Sequence, residues 1–86
     1  MAANLEFSSK ALEDFGWWVK NDLKKVKRIY ELLDSIASTP FDGIGKPEAL
    51  KGNLSGYWSR RITDEYGIVY KLSEGTVYLL QMKGHY

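Results

Sequence analysis

The chain has 86 residues, 44% of them hydrophobic and 27% charged, with twelve Lys and Arg against eleven Asp and Glu for a formal charge of +1. That length and balance suit one folded domain, and the near-neutral total gives no global pull towards nucleic acid, so any such case rests on how the charges are placed. Cysteine is absent and histidine occurs once, which excludes disulfide frameworks, thiolate zinc sites and multi-histidine metal centres.

Leu5-Glu6-Phe7 alternates and runs into Ser8-Ser9, the pattern of a strand leading into a helix N-cap. Leu12, Phe15, Trp18 and Val19 recur at helical spacing, and Asn21-Asp22 punctuates, with Asp22 placed to cap a second helix. Val26, Ile29, Leu33 and Ile36 predict the apolar stripe of that helix, with Lys24, Lys25, Lys27 and Arg28 on a solvated basic face. Pro40 ends it. Two short helices so closely joined predict an antiparallel hairpin.

Between Pro40 and Gly56 the breakers Gly43, Gly45, Pro47, Gly52 and Gly56 leave no room for a long regular element. A structured loop of this length in a small domain is often functional. Three strands then follow, Tyr57–Thr63, Tyr66–Leu72 and Thr76–Met82, joined by short turns as an antiparallel meander. Sorting by parity puts Trp58, Arg60, Ile62, Ile68, Tyr70, Leu72, Tyr78, Leu80 and Met82 under the helices. The odd residues, among them Tyr57, Ser59, Arg61, Gly67, Lys71, Gln81, Lys83 and His85, form an open, mostly polar and basic face.

Scattered Lys and Arg are ordinarily a solvated surface. Here, though, adjacent Arg60 and Arg61 must point to opposite faces, and tyrosines accompany the cations, a mixture suited to phosphate contacts and base stacking on single-stranded RNA. His85 and Tyr86 read either as a functionless tail or, since His85 is the sole imidazole, as the natural general acid or base near neutral pH. Glu48 lies between Lys46 and Lys51. A loop carboxylate, a histidine and a basic cradle would together allow metal-free ribonuclease chemistry; composition permits this without selecting it.

The run Pro40-Phe41-Asp42-Gly43-Ile44-Gly45-Lys46-Pro47-Glu48-Ala49-Leu50-Lys51, followed by Asn53-Leu54-Ser55-Gly56-Tyr57-Trp58-Ser59-Arg60-Arg61-Ile62 and the ending His85-Tyr86, closely resembles the YoeB/Txe family of RelE-superfamily toxins. The resemblance covers almost the whole chain. It implies one RelE/YoeB-like domain over residues 1–86, an α+β fold with a small antiparallel-type sheet and an N-terminal helical hairpin on one face. It further implies a ribosome-dependent mRNA interferase that cleaves mRNA in the ribosomal A site, needs no cofactor and is neutralised by a YefM-like antitoxin, with a homodimer favoured. By position, Glu48 is similar to the family's general base, His85 to its general acid and Tyr86 to its terminal active-site tyrosine. Lys51 and Arg61 match its phosphate-holding positions, with Lys46 and Lys83 as further RNA-binding candidates.

The sequence departs from the family in the middle strand, where Glu65-Tyr66-Gly67-Ile68-Val69-Tyr70 puts Gly67 in place of an arginine that stabilises transition-state charge. Gly84 likewise stands where an aromatic is usual. Either Lys83 or Arg61 compensates, or activity is lowered; the reading leans to lowered activity. The alternative is a catalytically silent module that keeps antitoxin and ribosome contacts, and a free ribonuclease is disfavoured by the near-neutral charge. No apolar run approaches the roughly 20 residues of a membrane span, so the expected compartment is the cytoplasm.

Overall fold

The computed structural model describes residues 2–84. Strand β1 (Asn4–Phe7) leads into helix α1 (Ser9–Asn21), helix α2 (Leu23–Ser38), a short strand β2 (Glu48–Ala49), a 3₁₀ turn (Gly52–Leu54), and strands β3 (Trp58–Arg61), β4 (Gly67–Ser73) and β5 (Thr76–Gly84). The five strands form one mixed sheet in the order β1-β5-β4-β3-β2, and the helical hairpin packs on one side of it. The meander β3-β4-β5 is antiparallel as predicted, β2 adds an antiparallel edge, and β1 lies parallel to β5.

Ser8 caps α1 by accepting a hydrogen bond from the Ala11 amide at 2.9 Å. The buried face of α1 is Ala11, Asp14 and Trp18, whereas Leu12 and Val19 are exposed, which corrects the predicted stripe. The helix is turned so that Trp18 and Asp14 reach β5. Asp22 stands at the start of α2, but its side chain makes no capping bond; only its carbonyl accepts, from the Lys25 amide. Ile29, Leu33 and Ile36 are buried as expected, joined by Leu32, and meet Ile62, Ile68, Tyr70, Val77, Leu79 and Met82 from the sheet.

The division into two faces holds across β3 and β4, where Trp58 pairs with Tyr70 and Arg60 with Ile68, but Ser59, Gly67 and Val69, expected on the open face, are buried there. It fails in the first half of β5: Val77 and Leu79 are buried and Tyr78 is exposed. The cause is the turn. Ser73 pairs with Thr76 across the two residues Glu74 and Gly75, so even residues of β4 face odd residues of β5. Both turn residues have positive φ, 49° and 79°, as a tight hairpin turn of this hand requires. A bulge at Leu80 then restores the original parity, since Tyr70 pairs with Leu79 but Val69 with Gln81, and Met82 returns to the core.

Candidate active site

Arg60 and Arg61 separate as the alternation requires. Arg60 points into the helical layer, where its guanidinium donates to the carbonyls of Thr39, Asp42 and Ile44, to Ser35 Oγ and to the Tyr70 hydroxyl, all at 2.7–3.0 Å. Tyr70 in turn donates to the Pro40 carbonyl. A buried cation is thus satisfied by the loop that leaves α2, and that loop is fixed by it. Burial pushes the Tyr70 phenol above its ordinary value, an effect the hydrogen bond and charge of Arg60 partly oppose. Gly45 passes so close to Leu32 that a Cβ would collide with it, and its carbonyl accepts from the Arg61 amide at 2.7 Å. These contacts deliver Glu48 to the edge of β3, directly opposite Ser59.

On the face away from the helices the strand registers build a grid. Its middle row is Glu48, Ser59, Val69 and Gln81. One step along β3, about 7 Å away, Arg61 lies opposite Gly67, which lies opposite Gly84. In the other direction Lys71 stands opposite Tyr78, which pairs with Glu6, and the Lys71 ammonium is 5.4 Å from the Tyr57 ring centroid. A cavity of about 290 Å³ at the Arg61 end is lined by Arg28, Lys46, Arg61 and Asp64 among others. A smaller one of about 130 Å³ at the Tyr57 end is lined by Phe7, Tyr57, Tyr78 and Leu80. Glu48 therefore stands between a cationic hollow and an aromatic one.

Two residues around this site were not singled out from sequence. Arg28, assigned there to the solvated side of α2, is half-buried and donates to the Arg61 carbonyl at 3.3 Å, so it borders the cationic hollow. Ser59 is 1% exposed, and its Oγ has no hydrogen-bond partner among the described residues. Only its parity signalled it. Lys46 and Lys51 are both exposed on either side of Glu48.

Beyond Phe7, β5 loses its neighbour β1, and side chains from α1 and its N-cap take over its edge. Ser8 Oγ donates to the Leu80 carbonyl at 2.7 Å, Asp14 accepts from the Met82 amide at 2.9 Å, and Trp18 Nε1 donates to the Met82 carbonyl at 2.8 Å. This carries the strand to Gly84, two strands from Arg61. Lys83 does not join the open face: its ammonium sits 3.9 Å from the Trp17 ring centroid and 5.8 Å from that of Tyr66, on the helical side. A second register shift, between the Val69–Gln81 and Gly67–Gly84 pairs, turns Lys83 away from the open face. Gly67 and Gly84 are buried and opposite one another. His85 and Tyr86, the acid and the terminal tyrosine of the sequence reading, lie outside the described residues. Among the described residues no group of three or more metal-ligating carboxylates or imidazoles is present.

The model of the YoeB-like toxins of bacterial type II toxin–antitoxin systems matches residues 7–86. The chain belongs to this family. It is 48% identical over 82 residues to the toxin YoeB of Streptomyces coelicolor, covering 95% of this chain and 98% of that one. The solved YoeB dimer of Staphylococcus aureus superposes with a TM-score of 0.90 at 45% identity over the whole of both chains. A heterotetrameric YoeB–YefM toxin–antitoxin complex from the same organism gives 0.86 at 45% identity, again over the whole of both chains. The YoeB family membership makes the chain a toxin of a toxin–antitoxin pair.

Proposed function

We propose that this YoeB-family chain is a metal-independent endoribonuclease that cleaves mRNA in the ribosomal A site. Its antitoxin is YefM-like, it forms a homodimer, and it acts in the cytoplasm as a single domain spanning residues 1–86. The observation that carries the reading is the position of Glu48, held opposite Ser59 on the open face between the Arg28–Lys46–Arg61 hollow and the Tyr57–Tyr78 hollow. Cations at one end suit a phosphodiester, aromatic rings at the other suit a base, and the carboxylate lies between them.

In this scheme Glu48 takes the proton from a ribose 2′-hydroxyl. The 2′-oxygen forms a bond to phosphorus, the bond to the 5′-oxygen breaks, and His85 protonates the departing oxygen. The products are a 2′,3′-cyclic phosphate and a 5′-hydroxyl. Arg61 and Lys51 hold the non-bridging oxygens, Lys46 and Arg28 extend the cationic lining, and Tyr86 orients the substrate. Lys83 has no direct part, because it is engaged with Trp17.

A second reading, a silent module that binds antitoxin and ribosome, is favoured by Gly67, which puts no cation opposite Arg61. Cleavage of ribosome-programmed mRNA by the purified chain separates the two. The nuclease reading expects fragments ending in cyclic phosphate from programmed ribosomes and few from naked RNA. Ribosome binding without fragments supports the silent module instead.

A further inference from the structure

We infer that Ser59 is a positioning residue for Glu48: its hydroxyl donates to the Glu48 carboxylate when substrate occupies the open face, and so fixes the base. The inference rests on the nuclease reading above and concerns a residue that reading does not use.

Three observations carry it. Ser59 is almost wholly buried, yet its Oγ has no hydrogen-bond partner among the described residues. A buried unpaired hydroxyl is destabilising, and an alanine in the same strand position would avoid that cost. Glu48 is the direct cross-strand partner of Ser59, and such partners have Cβ atoms about 5 Å apart on the same face. Glu48 is also exposed, with no hydrogen bond or ion pair among the described residues. A donor without an acceptor therefore faces an acceptor without a donor. Arg61 and Lys71, the described cations on this face, make no hydrogen bond to Ser59 Oγ. Gln81, the other polar member of the row, is separated from Ser59 by Val69.

The physical gain is orientation. Glu48 sits on a two-residue edge strand, and an exposed glutamate there samples several rotamers. A hydrogen bond from the floor selects the rotamer that keeps the carboxylate over the sheet, where the 2′-hydroxyl must be. Solvent cannot replace the bond, because Ser59 Oγ is covered.

The test is a double-mutant cycle of Ser59→Ala and Glu48→Gln on programmed ribosomes, with thermal melting of each variant. Ser59→Ala is expected to melt at or above the parent temperature, to lose about tenfold in kcat and to keep KM within about twofold. In the Glu48→Gln background it is expected to cost less than about twofold, because its partner is already gone. Parent-like kcat, an equal loss in both backgrounds, or a lower melting temperature would each overturn the inference. If the parent cleaves nothing, the nuclease reading fails, and positioning is read from crystals soaked with a 2′-deoxy dinucleotide. A Glu48 carboxylate within about 3.2 Å of Ser59 Oγ supports it; a carboxylate turned away overturns it.

Discussion

The two faces of the sheet treat polar groups in opposite ways. On the helical side Arg60, Asp14, Trp18 and Tyr70 bury polar atoms, and each is satisfied, Arg60 by five acceptors. On the open side Ser59 Oγ is buried and unpaired, and Glu48 is exposed without a partner among the described residues. Saturated groups fix a conformation; unsatisfied ones keep bonding capacity for a ligand. The contrast is sharpest between Arg60 and Arg61, chemically identical neighbours. One is a structural rivet. The other is half-buried, its guanidinium donating to the Asp64 carbonyl at 3.4 Å as its one hydrogen bond among the described residues, and is left facing the cationic hollow.

That division can be broken most severely at Arg60. Replacing it with Ala removes a donor from five acceptors and frees the Thr39–Ile44 loop, for an expected loss of about 3 kcal/mol or more. In a chain of this size the melting temperature should fall on the order of 15 °C, with cleavage lost as a consequence; an unchanged melting curve would remove Arg60 from the account. On the open face the largest single gain is expected from Gly67→Arg, which puts a cation opposite Arg61. Cleavage should rise about 100-fold, comparable with one oxyanion donor, and growth arrest on expression should deepen. No gain in either readout would mean that Gly67 does not limit the reaction.

Tyr70→Phe is a smaller perturbation of the helical side, expected to cost about 1–2 kcal/mol through the lost bonds to Pro40 and Arg60. It also has a pH signature. Burial raises the phenol of the folded chain above its ordinary value, so the folded state keeps that proton to higher pH than the unfolded chain does. The resulting stabilisation is present below about pH 10 and is lost as pH rises towards the folded value. Melting curves of parent and variant from pH 8 to 11 should therefore converge; a gap that widens would refute the sign. Least affected should be Lys83→Met, which removes the cation over Trp17. A loss of about 0.5–1 kcal/mol in denaturant stability is expected, with cleavage unchanged. A drop in mRNA cleavage without a drop in stability would return Lys83 to the RNA-binding set.

Much of this was legible in the sequence where local rules and packing agree. The stripe Ile29, Leu33, Ile36 and the alternation through β3 and β4 gave the buried faces directly. The failures in the sheet share one origin, the absence of register information in a single strand. Val77 and Tyr78 changed places because the two-residue turn inverts parity; the bulge at Leu80 restores it, and Lys83 left the open face because a second register shift between Gln81 and Gly84 inverts it again. Leu12 was drawn into a stripe by its apolarity, while the polar Asp14 took the buried position because the uncovered edge of β5 offers the Met82 amide as its donor. At the site, Glu48, Arg61 and the lysines were readable from the family resemblance. Ser59 was not, since an unpaired hydroxyl is visible only once its surroundings are known.

The account turns on Glu48, so its most direct test is Glu48→Gln assayed on mRNA-programmed ribosomes, with the 3′ ends of the fragments analysed chemically. The parent is expected to leave 2′,3′-cyclic phosphate ends, and the variant to cleave at least 100-fold more slowly at an unchanged melting temperature, since Glu48 is exposed. Equal cleavage by parent and variant, or parent fragments without cyclic phosphate, would contradict the open face as an acid–base ribonuclease site.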